Sequence, residues 1–202
     1  MVKPLKVTRF NDGTPILHLK KGSDWANADT SPARCYYGTN VDGADVSNSD
    51  SATYAATYGA LYNWYAVNHK GTDGKANLAP KGWHVADTAD WNTLIGALSN
   101  NPNFTGGSHA TVGGKLKETD TAHWKAPNTG ATNSSGFIAL PAGYRNFDGN
   151  FNYLGSNAYF WSSTAFGSSS NAYYQNLYYN SAGIGRINYS KLLGFSVVCV
   201  RD

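Results

Sequence analysis

After Gly114 no stretch of this chain carries a helical period. Apolar residues alternate in short runs instead: "AYFWSST" from Ala158, "AYYQNLYY" from Ala172, "GIGRINY" from Gly183 and "GFSVVCV" from Gly194. Gly, Ser and Asn separate the runs, and alternation of that kind marks short strands. "SSGFIALPAGYR" ahead of them offers another strand and a turn. This part of the chain can fold only as an antiparallel run, which excludes a helical bundle.

Composition agrees. Charged residues are 14%, about half the usual share, while aromatics are also 14% and glycines number 22. Six tryptophans and eight phenylalanines require a core, so the chain is not disordered. A length of 202 residues reads as one domain over 1–202. "LKVTRFNDGTPILHLK" predicts an N-terminal hairpin around Asn-Asp-Gly-Thr. The turn-rich stretch from Gly22 to Ser51 reads as a long loop. In "SATYAATYGALYNWYAV", Tyr54, Tyr58, Leu61, Tyr62 and Tyr65 recur at helical spacing and predict a first helix with an aromatic core face. A short strand is expected at Trp83 to Val85. A second helix follows, capped by Asp87 and Asp90, with Trp91, Leu94, Ile95 and Leu98 as its stripe. Two helices and an antiparallel run give an α+β fold.

The search for chemistry is largely negative. Net charge is +3 and the basic residues are scattered, so nucleic-acid binding is not expected. No apolar run reaches membrane-span length, and "MVKPLKVTRF" lacks an apolar leader segment. The chain is therefore expected inside the cell, as part of a phage virion or a fusion, or at a cell surface or outside the cell if a leader was trimmed. Cys35 and Cys199 match no zinc spacing, leaving one disulfide or two separate thiols open. The five histidines form no HExxH, and His84 in "GWHV" reads as a hydrogen-bonded structural residue. "GGSHATVGGKLKE" lacks the Walker lysine-serine pair. Ser162 and Ser163 have no partner base, and Asp42, Asp45 and Asp50 fail the EF-hand spacing. No enzyme activity, metal or cofactor is expected.

The tail is different. From Ala165 to Leu193, 17 of 29 residues are Tyr, Ser, Asn or Gly, the types that dominate antibody binding loops. Alternation puts Tyr173, Gln175, Leu177 and Tyr179 on one side of a strand and Tyr174, Asn176 and Tyr178 on the other. If the first set faces the core, the second is displayed. Leu192 and Leu193 follow in a turn and read as a contact patch. The alternative is a tyrosine-rich sheet with no ligand.

The ordered motifs "RFNDGTPI", "YGALYNWYAV", "PKGWHVADTADW", "GGKLKET", "NSSGFIALPAGYR", "FWSST" and "GFSVVCVRD" carry a resemblance over nearly the whole chain. The chain resembles the major paralogous domain family first described in Fibrobacter succinogenes, whose members are mostly surface or secreted proteins of Bacteroidetes and relatives. The resemblance implies a C-type-lectin-like fold: two helices, a small twisted antiparallel sheet and long loops. Two departures stand out: Ala79 replaces a common cysteine before Pro80, and Val198 replaces a common arginine. The lectin calcium signatures are missing, as are the paired catalytic cysteines of the formylglycine-generating enzyme on the same scaffold. That scaffold also carries variable proteins of diversity-generating retroelements, in which adenines at the gene's end are rewritten. Phe166, Tyr174, Asn176, Tyr178, Ile187, Asn188, Tyr189, Ser190, Leu192 and Leu193 are all residues an edited asparagine codon can give. The resemblance thus implies an adhesion or receptor-recognition module that holds a cell-surface protein or glycan with those ten side chains, and with no heptad or obvious oligomer strand in the sequence a monomer is expected. The alternatives are a structural module of a surface layer, pilus tip or phage fibre, or a formylglycine-generating-type enzyme.

Overall fold

The computed structural model describes residues 4–38 and 48–202, with 48–52 described by backbone alone. The fold is mixed α/β, with few helices and several small sheets. Asp42 and Asp45 of the acidic loop lie outside the described residues.

The predicted N-terminal hairpin is present in reduced form. Arg9 bridges Pro15, and Phe10 N–H donates to Thr14 across the Asn-Asp-Gly-Thr turn. The chain then enters β1 (Leu17–His18), α1 (Gly22–Ala26) and β2 (Ala33–Cys35). The stretch expected to be a loop therefore contains a helical turn and a strand.

The expected first helix is broken. α2 spans Asn48–Tyr58 and stops at Gly59, whose φ of +77° is left-handed. A Cβ there would sit 2.8 Å from both the Leu5 carbonyl and Pro4, so only glycine fits. β3 (Leu61–Tyr62) follows and pairs with β2, and Asn63 then caps a short α3 (Trp64–Val67) by accepting from Ala66 N–H. Leu61 and Tyr62 are core residues, as expected, but on a strand.

The next two elements match their expected bounds. β4 is Trp83–Val85 and α4 is Thr88–Ser99, with a complete Asp87–Asp90 capping box. Trp91 and Ile95 are buried, while Leu94 and Leu98 pack at the edge of the same core. α5 (Val112–Leu116) covers the glycine pair. A Cβ on Gly113 would collide with the Gly183 carbonyl, and one on Gly114 with the Gly130 carbonyl. The pair exists so that two loops can cross the helix closely.

The C-terminal half holds β5 (Ala142–Arg145), β6 (Phe151–Leu154), β7 (Asn157–Ala165), β8 (Asn171–Tyr178), β9 (Gly185–Ser190) and β10 (Cys199–Arg201). β5–β6 is a hairpin, β7–β8–β9 is an antiparallel sheet and β10 pairs with β4. Only the end of "GFSVVCV" is strand; Phe195 and Ser196 make isolated bridges to Tyr62 and Phe160.

The sheet β7–β8–β9 is covered on both faces. Tyr159, Trp161, Ala172 and Tyr174 enter one core with Trp64 and Phe195. Ala158, Phe160 and Leu177 enter a second with Trp91, Leu116 and Phe137. β8 lies in the middle, so its side chains alternate between two interiors rather than between interior and water.

Candidate functional site

Two aromatic surfaces meet above the Tyr174 face of the sheet. One belongs to the β5–β6 hairpin. Its turn is set by Asp148-Gly149: Gly149 has φ +88°, and Asn146 N–H donates to Asn150. The hairpin contributes Tyr144, Asn146, Phe147 and Tyr153. The other surface is the sheet, which contributes Tyr159, Tyr174, Tyr178 and Tyr189. Leu193 and Phe195 complete a cavity of about 430 Å³, within the range of small-ligand sites.

The floor is rigid. Tyr159 stacks on Phe195 at 5.2 Å, Tyr174 lies 4.8 Å from Phe195, and Tyr144 meets Tyr159 edge-on at 5.2 Å. The rim is open, with Tyr153 and Tyr189 exposed. Tyr153 stacks on Tyr144 at 6.0 Å and holds a left-handed φ of +63°. A bulky residue in that region stores strain of order 1–3 kcal/mol.

The hydroxyls have a defined polarity. Buried Asn157 donates to the Tyr159 hydroxyl at 2.8 Å, and buried Asn176 donates to that of Tyr178 at 3.0 Å. Each phenol therefore keeps its own proton free to donate. Burial raises the Tyr174 pKa to about 12 and pushes Tyr159 higher still. Burial also raises Tyr144 and Tyr178, helped by neighbouring tyrosines. None of the ten lining residues is an acid or base that ionises near neutral pH. The site offers aromatic surface and neutral O–H donors.

The ten residues expected at a binding surface fall into three groups. Tyr174, Tyr178, Tyr189 and Leu193 line the cavity. Phe166 and Ile187 are exposed outside its lining, as are parts of half-buried Asn188, Ser190 and Leu192. Tyr174 (8% exposed), Asn176 (3%) and Leu193 (3%) are not displayed, which corrects the expected face assignment. The cause is that both faces of β8 are packed: Tyr174 enters the core of Trp64, Trp161 and Phe195, while Leu177 enters the other. Asn176 acts as a positioning residue behind Tyr178. Ile187 and Tyr189, at 45% and 49% exposed, carry the display on the edge strand β9.

Six of the ten lining residues were missed, Tyr159 and Phe195 on the floor and four on the hairpin. Tyr144, Asn146, Phe147 and Tyr153 flank "NFDGN", an Asp-Gly hairpin signal between aromatic runs, and that signal could have found them.

Other candidates resolve quietly. A second, apolar concavity of about 520 Å³ lies between α4 and β10, over Trp91, Phe137 and Val198. It contains none of the ten nominated residues. His84 is a hydrogen-bonded structural residue, contacting Asp202 at 2.7 Å and Asp90 at 3.0 Å. It is more exposed than a residue between apolar neighbours suggested. The Ser163 hydroxyl donates to the Val85 carbonyl, and that of Ser162 accepts from Thr164 N–H. Cys35 and Cys199 are separate thiols, each raised to about 11 by burial. No helix among the described residues is long and apolar enough to cross a membrane.

Comparison with known proteins gives one match of high coverage. The model of the family described as the Fibrobacter succinogenes major domain matches residues 1–201. No curated protein and no solved structure gives a significant match.

Proposed function

We propose that this chain, which belongs to the Fibrobacter succinogenes major domain family, is a non-enzymatic recognition module on a C-type-lectin-like scaffold. Its ligand is a cell-surface protein or glycan, and the seat is the tyrosine-lined cavity. The module itself works at a cell surface or on a virion.

The carrying observation is the cavity of about 430 Å³ in which six tyrosines from two separate sheets converge. Tyrosine supplies large contact area for little lost entropy. The strained backbone at Tyr153 adds support, since such outliers concentrate at binding sites. The exposed strand β9 extends the seat through Ile187.

If a retroelement rewrites this gene, the fold limits where. Variation is tolerated at Phe166, Tyr178, Ile187, Asn188, Tyr189, Ser190 and Leu192. It is not tolerated at Tyr174, Asn176 and Leu193, which are buried. Sequencing the gene's end in its source population tests this. Free variation at those three codons refutes the division.

The binding test uses Tyr153→Ala and Tyr189→Ala, both at exposed positions. Wild-type protein is applied to a printed glycan array and to whole bacterial cells. Binding is expected to fall at least tenfold in each variant with the melting temperature nearly unchanged. Equal binding by wild type and both variants would overturn the assignment.

A further inference from the structure

Three cations are deeply buried among the described residues: Arg34, Lys117 and Arg145. Two are fully wrapped. Arg145 donates through Nε to Gly149 O and through its two Nη atoms to Leu19 O and Lys20 O, and it lies between Trp25 and Phe151. Lys117 Nζ donates to three carbonyls, of Thr129, Tyr178 and Ser181. Arg34 is treated differently. It is 8% exposed, yet its Nε and Nη1 have no hydrogen-bond partner among the described residues. No described carboxylate lies within ion-pair distance of it. An uncompensated buried guanidinium is costly.

A second orphan stands beside it. The β1–β2 register pairs His18 directly with Arg34, so both side chains leave the same face of the sheet. His18 Nε2 is buried and also has no partner. The Tyr36 ring lies against both: 5.2 Å from the imidazole, edge-on, and 5.4 Å from the guanidinium carbon. Tyr62 closes the row on β3, with its hydroxyl donating to Val7 O.

We infer that His18 and Arg34 form an oxyanion site, taking a carboxylate, sulfate or phosphate group on the unpartnered nitrogens of both side chains. Each unpartnered guanidinium N–H can give an oxyanion one charge-assisted hydrogen bond. The 8% exposure of Arg34 lies elsewhere on the residue, since its Nε and Nη1 and His18 Nε2 are sealed from solvent, so an anion enters only as these side chains shift. Electrostatics agree. Burial holds the His18 pKa down to about 4, assisted by Arg34, Lys20 and Arg145, and every charge acting on it is positive. An anion would cancel that field and let the imidazole protonate. The site is separate from the tyrosine cavity, with which it shares no lining residue.

The test is a titration of the whole protein with sodium sulfate, and in a second arm sodium acetate. Both are run against sodium chloride at matched ionic strength and about pH 6. The readouts are the His18 ring resonances and the melting temperature. A saturable His18 shift, with a matching rise in melting temperature, is expected in wild type. Arg34→Met is expected to abolish both. Because Arg34→Met could fail to fold, His18→Leu is the second variant, followed by melting temperature, with affinity expected to fall about tenfold for one lost hydrogen bond to a charged group. Response to sulfate alone supports a tetrahedral group, and response to both salts supports oxyanions generally. Absence of a saturable His18 shift with either salt overturns the proposal. So does undiminished binding in the variants.

Discussion

Lys117→Met probes how the end of β8 is held. The ammonium is enclosed, 5.2 Å from the Trp124 ring, and donates at 2.9, 3.1 and 2.9 Å to Thr129, Tyr178 and Ser181 carbonyls. Methionine has similar length and cannot donate. Three carbonyls lose a partner at about 1–3 kcal/mol each. Removing a buried charge returns part of that. The net expected loss is about 3 kcal/mol, or roughly 6–12 °C in melting temperature for a domain of this size. Urea unfolding followed by tryptophan fluorescence measures it. pH gives an independent check. Burial lowers the lysine pKa from 10.5 to about 8. Between those values the unfolded chain holds the proton and the folded one does not, so stability gains with rising pH. Subtracting the variant's pH profile from the wild type's cancels the tyrosine and cysteine contributions. The difference should grow in favour of wild type above about pH 8. A loss under about 1 kcal/mol, or a difference flat across that window, refutes the reasoning.

Three further outcomes are expected. Gly113→Ala drives a methyl into the Gly183 carbonyl, so expression yield and melting temperature should both collapse; a loss under about 1 kcal/mol would contradict the close crossing. Hydrogen bonding to Asp202 and then Asp90 raises the His84 pKa. The stabilisation is therefore present below about 6.5 and lost as pH rises through the raised folded value. His84→Gln should cost up to about 1 kcal/mol in mild acid and nothing in alkali, because the ring is partly exposed. Tyr153→Gly should leave stability unchanged or raise it by about 1 kcal/mol, since glycine relieves the positive φ. The same change should remove ligand binding, and circular-dichroism melts beside the array assay would show both.

Local signals were the legible ones. Asp87 and Asp90 announce a helix start by their own spacing, and α4 begins where they say. Trp83 to Val85 was equally readable. Failures came where distant chain decided the outcome. Tyr54 to Tyr65 has a helical period, but Gly59 and Asn63 interrupt it, and Leu61–Tyr62 are recruited by β2. Gly59 after the last α2 residue was a visible stop signal that the period overrode. Tyr174 and Asn176 were assigned to water because alternation tells two faces apart without saying what covers each. The core over Tyr174 draws on residues as distant as Phe10 and Trp64, which no local pattern connects to β8. The cavity was partly legible: Tyr178 and Tyr189 came from composition, whereas Tyr144 and Tyr153 needed the hairpin to be seen against the sheet.

The sheet order β7–β8–β9 has a consequence for how such a protein can change. β8 is bound on both sides and packed above and below, so a substitution at any of its buried positions, from Ala172 to Leu177, is felt by the interior, and its half-buried end at Tyr178 is spared. β9 is a margin. It contributes one ladder and turns Ile187 and Tyr189 outward. New shapes can be tried on that margin while the rest of the molecule stays put. Stability and novelty are thereby assigned to neighbouring strands, and the lineage can explore with one while conserving the other.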